Sequence, residues 1–562
     1  MTPRKPAVAC LALLAACSSS SASTSPSDAG DAASAEVGTS APTAWFKDVS
    51  ASSGVAAVAR DPSTFASFYS RMSGGVCVLD VDSDGHPDLF FPRPEALGGA
   101  RLLHQRADVG PLQFDDVTAA WGLDHLGDVA GCVGADFDDD GKTDLVVTGE
   151  GVVELLHNSG STFVDASTNL PPLDDPKTIV MAAVAFDADG DGHLDLAIAE
   201  YGHFTNPNPT TCIGDCSQAP ENYGGGHVGL WLQGADGHFT DATSTLPTMK
   251  SAPAFVLLAT DLDADGKVDL FVGNDLQQND DEYLRNLGGG HFSEVATHLG
   301  VAHTNALSGV SSMSATDPDW DADGRVDLLE SSWAADPDAL YRCAGVPVIC
   351  RDSIEAAGLL SPPNHLRWGQ AMVDFDDDGV LDLLEAAGDF FKAGEPGNEG
   401  AGTTLQLAPM FSTQPAPGYA FTPVDPATLS FPATAGRGLI ASDLDGDGDL
   451  DAVIASVDGA SALLENTRSP RGHALTVKLV GTTGNRRAIG ARVVVTSGSF
   501  VSAATAHAGH GFMSSDDGPL HFGLGAATSI DSIDVTWPDG TTSHVDATPL
   551  TTTNTSLTVT HP

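Results

Sequence analysis

The stretch DLDADGKVDLFVGN, residues 261–274, decides the fold. Asp261, Asp263 and Asp265 put carboxylates at positions 1, 3 and 5 of a tight loop. Gly266 supplies the sharp turn at position 6, and Asp269 adds a carboxylate at position 9. Carboxylates at that spacing converge on one point. With a backbone carbonyl from position 7 they form an all-oxygen cage suited to Ca2+, which takes about 6–8 oxygen ligands. Zn2+ and Cu2+ prefer His or Cys, which the ligand positions lack. The residues that follow, Leu270-Phe271-Val272, form a short β-type run. The loop therefore joins two strands, where an EF-hand needs flanking helices and an acid at position 12.

Working outward, the same nonapeptide occurs seven times. The other six copies carry Asp80, Asp82, Asp84 and Asp88; Asp136, Asp138, Asp140 and Asp144; Asp187, Asp189, Asp191 and Asp195; Asp319, Asp321, Asp323 and Asp327; Asp374, Asp376, Asp378 and Asp382; and Asp443, Asp445, Asp447 and Asp451. Successive copies begin 51–74 residues apart, which is a repeat architecture. An Asp-Gly turn alone can be a bare hairpin, but four carboxylates in one loop repel one another unless a cation lies among them. These aspartates are read as metal ligands for about seven Ca2+ ions, one per loop.

Two further elements recur after each loop. One is a strand such as LLHN (155–158), YLRN (283–286) or LLEN (463–466). The other begins with Phe, as at Phe114, Phe163, Phe239 and Phe292. Four strands per repeat and seven repeats predict an all-β chain, a seven-bladed β-propeller over residues 44–468. The seventh repeat lacks a fourth strand, and an orphan copy, Phe46-Lys47-Asp48-Val49, precedes the first. Residues 46–50 are expected to complete the last blade and close the ring, which removes the exposed sheet edges.

Composition agrees. The 562 residues carry 76 Asp+Glu against 25 Lys+Arg, a formal charge of −51, which disfavours nucleic acid and anionic lipid as partners. The 61 Gly and 34 Pro argue against long helices.

The N-terminus has Arg4 and Lys5, an apolar run over 7–16 too short to span a bilayer, and then Leu14-Ala15-Ala16-Cys17. This resembles a bacterial lipoprotein signal: residues 1–16 would be removed and Cys17 lipidated. The Ser/Ala/Thr-rich residues 17–43 read as a tether. The expected location is the bacterial cell envelope, at the outer membrane or cell surface, with release possible; the membrane is met only through the lipid. Cys212 with Cys216 and Cys343 with Cys350 are plausible disulfides in an oxidising compartment, whereas Cys77 and Cys132 read equally well as buried thiols.

The loops with their flanks resemble FG-GAP/VCBS repeats of integrin-α-like propellers. The combination of F-x-D-V-T at 114–118, the Asp loops and L-x-R-N is most similar to the cartilage acidic protein family. The segments GHALTVKLVGTTGNRRAIGARVVV (472–495), GHGFMSSDDGPLHFGLG (509–525) and IDVTWPDG (533–540) resemble that family's ASPIC/UnbV domain, here a small all-β module over 469–562. The resemblance implies calcium-dependent extracellular binding or adhesion, with an extracellular protein or glycan as partner. Departures from the pattern are insertions at about 201–226 and 386–420, and Arg351–Leu359 in place of a clean fourth strand in blade five.

No nucleophile elbow, P-loop or HExxH is present, so no catalytic residue is assigned and the chain is expected not to be an enzyme. His507 and His510 read as parts of a structural turn, Arg486-Arg487 as a solvated loop, and Trp320 and Trp368 as blade packing. The insertion at 203–226 is the best candidate recognition surface. The alternatives are an extracellular polysaccharide-active, lyase-like enzyme, which needs a base and a charge-neutralising group in one cleft, and a passive scaffold subunit of an envelope complex.

Overall fold

A computed structural model describes residues 44–60, 68–106, 108–204, 223–224, 226–249, 252–275, 279–302, 311–333, 338–359, 366–389, 408–549 and 554–562. The signal and tether, Cys17, Cys212, Cys216 and most of both insertions lie outside them.

The repeats fold as seven four-stranded antiparallel meanders. Blade two shows the plan: Val129–Ala135, Asp144–Gly149, Val152–Asn158 and Phe163–Asp165, hydrogen-bonded in that order. Its first strand is buried throughout and the second likewise, whereas the fourth buries only Phe163 and turns Val164 and Asp165 to solvent. This gradient explains the composition of each repeat: apolar and small residues near the axis, a single Phe anchor at the rim. The first strands touch in sequence around the ring, and Gly436–Ser442 of blade seven meets Cys77–Leu79 of blade one. Gly438 N–H donates to Gly74 carbonyl at 2.9 Å across that junction. Hence the architecture is an all-β, seven-bladed propeller.

Closure follows the expectation. Phe46–Asp48 pairs antiparallel with Ala462–Asn466, with Phe46 opposite Asn466. Phe46 is buried edge-on against Phe375 and Phe411, with centroids 5.1 and 5.4 Å away. Trp320 and Trp368 are buried within the blades.

Blade five corrects one reading. Its fourth strand is Ile349–Asp352, set in register by Cys343 opposite Cys350, so Arg351 and Asp352 belong to the strand and the irregular segment begins after them. A turn over 345–348 joins the two strands, and Cys343 and Cys350 are disulfide-bonded. Cys77 and Cys132, left open by the sequence, are also joined, linking the first strands of blades one and two.

Residues 473–560 build two sheets around one core. His473–Val480 lies between Leu520–Gly525 and Asn554–Thr560; Arg492–Ser497 pairs with Phe500–Thr505 and Ser529–Thr536, and the latter with Thr542–Pro549. Leu475, Val477, Val493, Val495, Ile533 and Trp537 fill the space between them.

One segment leaves this module altogether. Ser515–Asp516 pairs in parallel with the first strand of blade one, and residues 508–514 enter the propeller axis. Phe512 is fully buried between Trp368 of blade six and Phe255 of blade four, at 5.3 and 5.9 Å. Backbone bonds reach blade two from Met513, blade three from Ala508 and blade five from Gly511. The fit is close enough that a Cβ on Gly75 would fall 2.0 Å from the Met513 carbonyl.

Candidate metal centres and the face they build

All seven Asp loops share one local structure. Its first aspartate accepts the N–H of position 6, at 2.9 Å for Asp136 and Gly141 and 2.7 Å for Asp374 and Gly379. The same bond recurs at Asp80, Asp187, Asp261, Asp319 and Asp443. The aspartate at position 5 accepts the N–H of position 7, as Asp140 does from Lys142 at 2.9 Å. Left-handed backbone at Gly141 and its counterparts lets the chain reverse inside these bonds.

The ninth aspartate fixes the loop to the sheet. Asp144 Oδ2 accepts from Phe137 N–H at 3.0 Å, and Oδ1 from Asn158 N–H in the third strand at 2.7 Å. Three carboxylates thereby offer oxygens within 4.8 Å of one another in several loops: Asp80, Asp82 and Asp84; Asp136, Asp138 and Asp144; Asp187, Asp189 and Asp195. Asp321 Oδ1 and Asp451 Oδ2 are buried with no hydrogen-bond partner among the described residues. A hard cation fits this donor set, since carboxylate oxygens without protons or donors are what such an ion satisfies. Electrostatics agree. Burial pushes Asp88 and Asp144 up to about 7, and Asp195 and Asp327 to about 8, against the backbone N–H bonds that favour the charged form. Neighbouring loop carboxylates add to the rise, and a divalent cation would remove it.

The side chain at the end of the third strand has a role the sequence displays but does not explain. Asn158 Nδ2 donates to the carbonyl of Val81, position 2 of the preceding blade's loop, at 2.8 Å. Gln233, Asn286 and Asn466 reach Phe137, Ala188 and Phe375 in the same way, and Gln105 reaches Leu444 across the ring closure. Five of the seven loops are thus tied by a side chain to the next blade. The recurring Asn of LLHN, YLRN and LLEN was the available signal.

The C-terminal module seats on these loops. Arg486 Nη2 donates to the Asp139 carbonyl at 3.0 Å, and Arg487 Nη2 to Thr143 Oγ1 at 2.8 Å, so this pair grips the loop of blade two; it is not a solvated loop. Ala503 N–H donates to Asp319 Oδ2 at 2.9 Å, Arg492 to the Gly324 carbonyl, and Gly525 N–H to the Asp377 carbonyl at 2.8 Å. His521 Nε2 lies 2.8 Å from Asp377 Oδ1, and Asn554 donates to the Asp447 carbonyl at 2.6 Å.

The FG-GAP-like repeat family matches residues 136–198 and 261–330, and the ASPIC and UnbV family matches 481–562. The chain carries FG-GAP-like repeats and an ASPIC/UnbV domain. It is similar to cartilage acidic protein 1 of Xenopus tropicalis, 22% identical over 501 residues that cover 85% of this chain and 72% of that protein. It is also similar to cartilage acidic protein 1 of Mus musculus, 26% identical over 276 residues, covering 48% of this chain and 40% of the relative. Among solved structures, BBS1N in complex with ARL6DN aligns at 10% identity and TM-score 0.43, covering 76% of this chain and 99% of that one. The exotype rhamnogalacturonan lyase YesX aligns at 10% and 0.37, covering 70% and 72%.

Between the FG-GAP propeller and the ASPIC/UnbV module lies a cavity of about 190 Å³ lined by His507, His510, His521, Asp317 and Gln370. Its histidines are engaged in the joint. His507 Nε2 is 2.7 Å from Asp317 Oδ1; burial lowers its pKa, and Asp317 outweighs that to leave it raised. His510 is 3.9 Å from Asp516. Among the described residues no helix is long and apolar enough to cross a membrane.

Proposed function

We propose that this is an exported, lipid-anchored binding or adhesion protein whose ring is held by about seven Ca2+ ions, and not an enzyme. The observation that carries the reading is the common construction of the seven Asp loops on one face, each turned on its first aspartate, several converging three carboxylates and five tied by a side chain to the neighbouring blade. Calcium acts here as a structural ion. It neutralises the loops, stiffens the blade junctions and preserves the surface on which the ASPIC/UnbV module sits.

Since that module covers the loop face and fills the axis, recognition falls to the opposite face and the blade flanks. The second strands end and the third strands begin at the opposite face. The partner class is an extracellular protein or glycan. The resemblance to extracellular adhesion-like proteins supports this reading, as does a charge of −51, which keeps the body soluble and away from anionic polymers.

Thermal unfolding with saturating Ca2+ and with chelator, alongside a metal count, tests the proposal. A large calcium-dependent rise in Tm with about seven ions bound is expected. An equal Tm in both conditions would sink it.

A further inference from the structure

The seven-fold repeat allows each blade junction to be compared position by position. Three places define the seam beside the axis: the residue seven before the first loop aspartate, the residue three after the ninth, and, on the preceding blade, the residue five before the one whose N–H donates to that blade's ninth aspartate (Gln105, Gln233, Asn286 and Cys343 in blades one, three, four and five). Between blades three and four these are Ala254, Val272 and Val228, packed in one apolar cluster. Between blades one and two they are Val129, Val147 and Ala100, again packed together.

Two seams hold buried charged residues instead. Between blades five and six the three places hold Arg367, Glu385 and Asp338, all buried. Arg367 Nη2 lies 2.8 Å from Asp338 Oδ1 and Nε lies 3.6 Å from Glu385 Oε1, so a guanidinium stands between the two carboxylates. Ser332 N–H completes Asp338 at 3.0 Å.

Between blades four and five the same two acids are present as Asp281 and Glu330, held in the same way: Asn274 N–H donates to Asp281 Oδ1 at 2.8 Å, the counterpart of the Ser332 bond. The place of Arg367 is taken by Ser312. Its single hydroxyl lies 3.1 Å from Asp281 Oδ1 and 3.0 Å from Glu330 Oε2, and one proton cannot serve both. Asp281 is 1% exposed and Glu330 is fully buried. Among the described residues, Asp281 Oδ2 and Glu330 Oε1 have no hydrogen-bond partner, nor has the buried Tyr341 hydroxyl. Tyr341 is cross-strand to Leu328, two residues from Glu330 and so on the same sheet face. Two facing carboxylates sealed from water are strongly repulsive unless neutralised. Elsewhere the chain neutralises the equivalent pair with a built-in cation.

We propose that the seam between blades four and five binds one Ca2+ ion in the place of the Arg367 guanidinium, ligated by Asp281 and Glu330 with the hydroxyl of Ser312. All donors are hard oxygens, and a divalent charge matches two carboxylates. The site is separate from the Asp loops and stabilises a blade junction directly.

The test is the calcium content of the full chain after equilibration in Ca2+, with Tm measured in Ca2+ and in chelator. The S312R variant supplies the guanidinium of the next seam, and D281N/E330Q removes the charge without changing shape. Each is expected to bind one ion fewer than wild type, and S312R is expected to unfold at a higher temperature than wild type in chelator. If S312R does not fold, the count for D281N/E330Q decides. Wild-type calcium content in the folded variants would overturn the proposal, since the carboxylates would then share a proton. The Asp138→Ala variant in a loop separates this from the broader calcium reading. One ion lost from D138A and none from D281N/E330Q removes the seam site and leaves the loops; the reverse leaves the seam and removes the loops.

Discussion

The C-terminal module is attached to the ring in two physically different ways, along the axis and around the rim. On the axis, Phe512 is buried between aromatic rings, and the backbone of 508–515 bonds to several blades. At the rim, arginines, histidines and backbone N–H groups hold aspartate loops whose own charge needs a counter-ion. The axial joint rests on apolar packing and neutral hydrogen bonds, so it is insensitive to salt and metal. The rim joint is electrostatic and stands or falls with the state of the loops. A single module thus has one fixed and one conditional attachment.

Chelation should produce the largest effect, acting on the rim joint and the blade junctions and leaving the axial joint in place. Each Ca2+ site held at about 100 times its Kd contributes about 2.7 kcal/mol, so removing the set lowers Tm sharply. The chelated protein should also show a pH dependence that calcium abolishes. Asp88, Asp144, Asp195 and Asp327 have folded pKa values of about 7 to 8, raised by burial above their unfolded values. Their contribution is complete below about pH 4 and is lost as pH rises through the folded values. In chelator, Tm should therefore fall between pH 5 and pH 8; a flat profile there would break the assignment of these four aspartates as carboxylates whose burial opposes ionisation.

The axis is probed by Phe512→Ala, which should cost about 3–5 kcal/mol, equally at low and high salt and with or without Ca2+. A loss that appears only in chelator would show that axis and rim are one joint. Asn158→Ala should cost about 1–3 kcal/mol by leaving the Val81 and Thr143 carbonyls unpaired, and it should lower Ca2+ affinity at the loop of blade one or two, measured by titration calorimetry. Smallest is Arg487→Ala. Its guanidinium is over one-third exposed, so about 1 kcal/mol is expected at low salt, vanishing near 1 M salt.

Much of this was legible in the sequence because it repeats at short range. Asp261 to Asp269 fold on themselves, and seven copies fixed both the blade number and the missing strand that Phe46–Asp48 supplies. The axial segment was not legible. GHGFMSS reads as a Gly-rich turn, since its partners lie on many blades and leave no periodic trace in the segment itself. Arg486 and Arg487 look like surface charges until the loop beneath them is seen. The joining of Cys77 to Cys132 is a matter of blade adjacency, which spacing alone did not distinguish from two buried thiols. Ser312 is an ordinary residue in the sequence and becomes informative only when superposed on Arg367 by the repeat.

The strand that closes the ring also fixes an order of events during synthesis. Lys47 is among the first residues of the folded body to be made, and its partner Glu465 follows 418 residues later. Until that stretch has left the ribosome, the outer strand of blade seven has no neighbour to pair with and Phe46 has no pocket. Loop-closure entropy grows only slowly with length, so the delay costs time more than stability. The last blade is therefore the last to become protease-resistant, and the N-terminal segment waits unpaired while six blades form ahead of it.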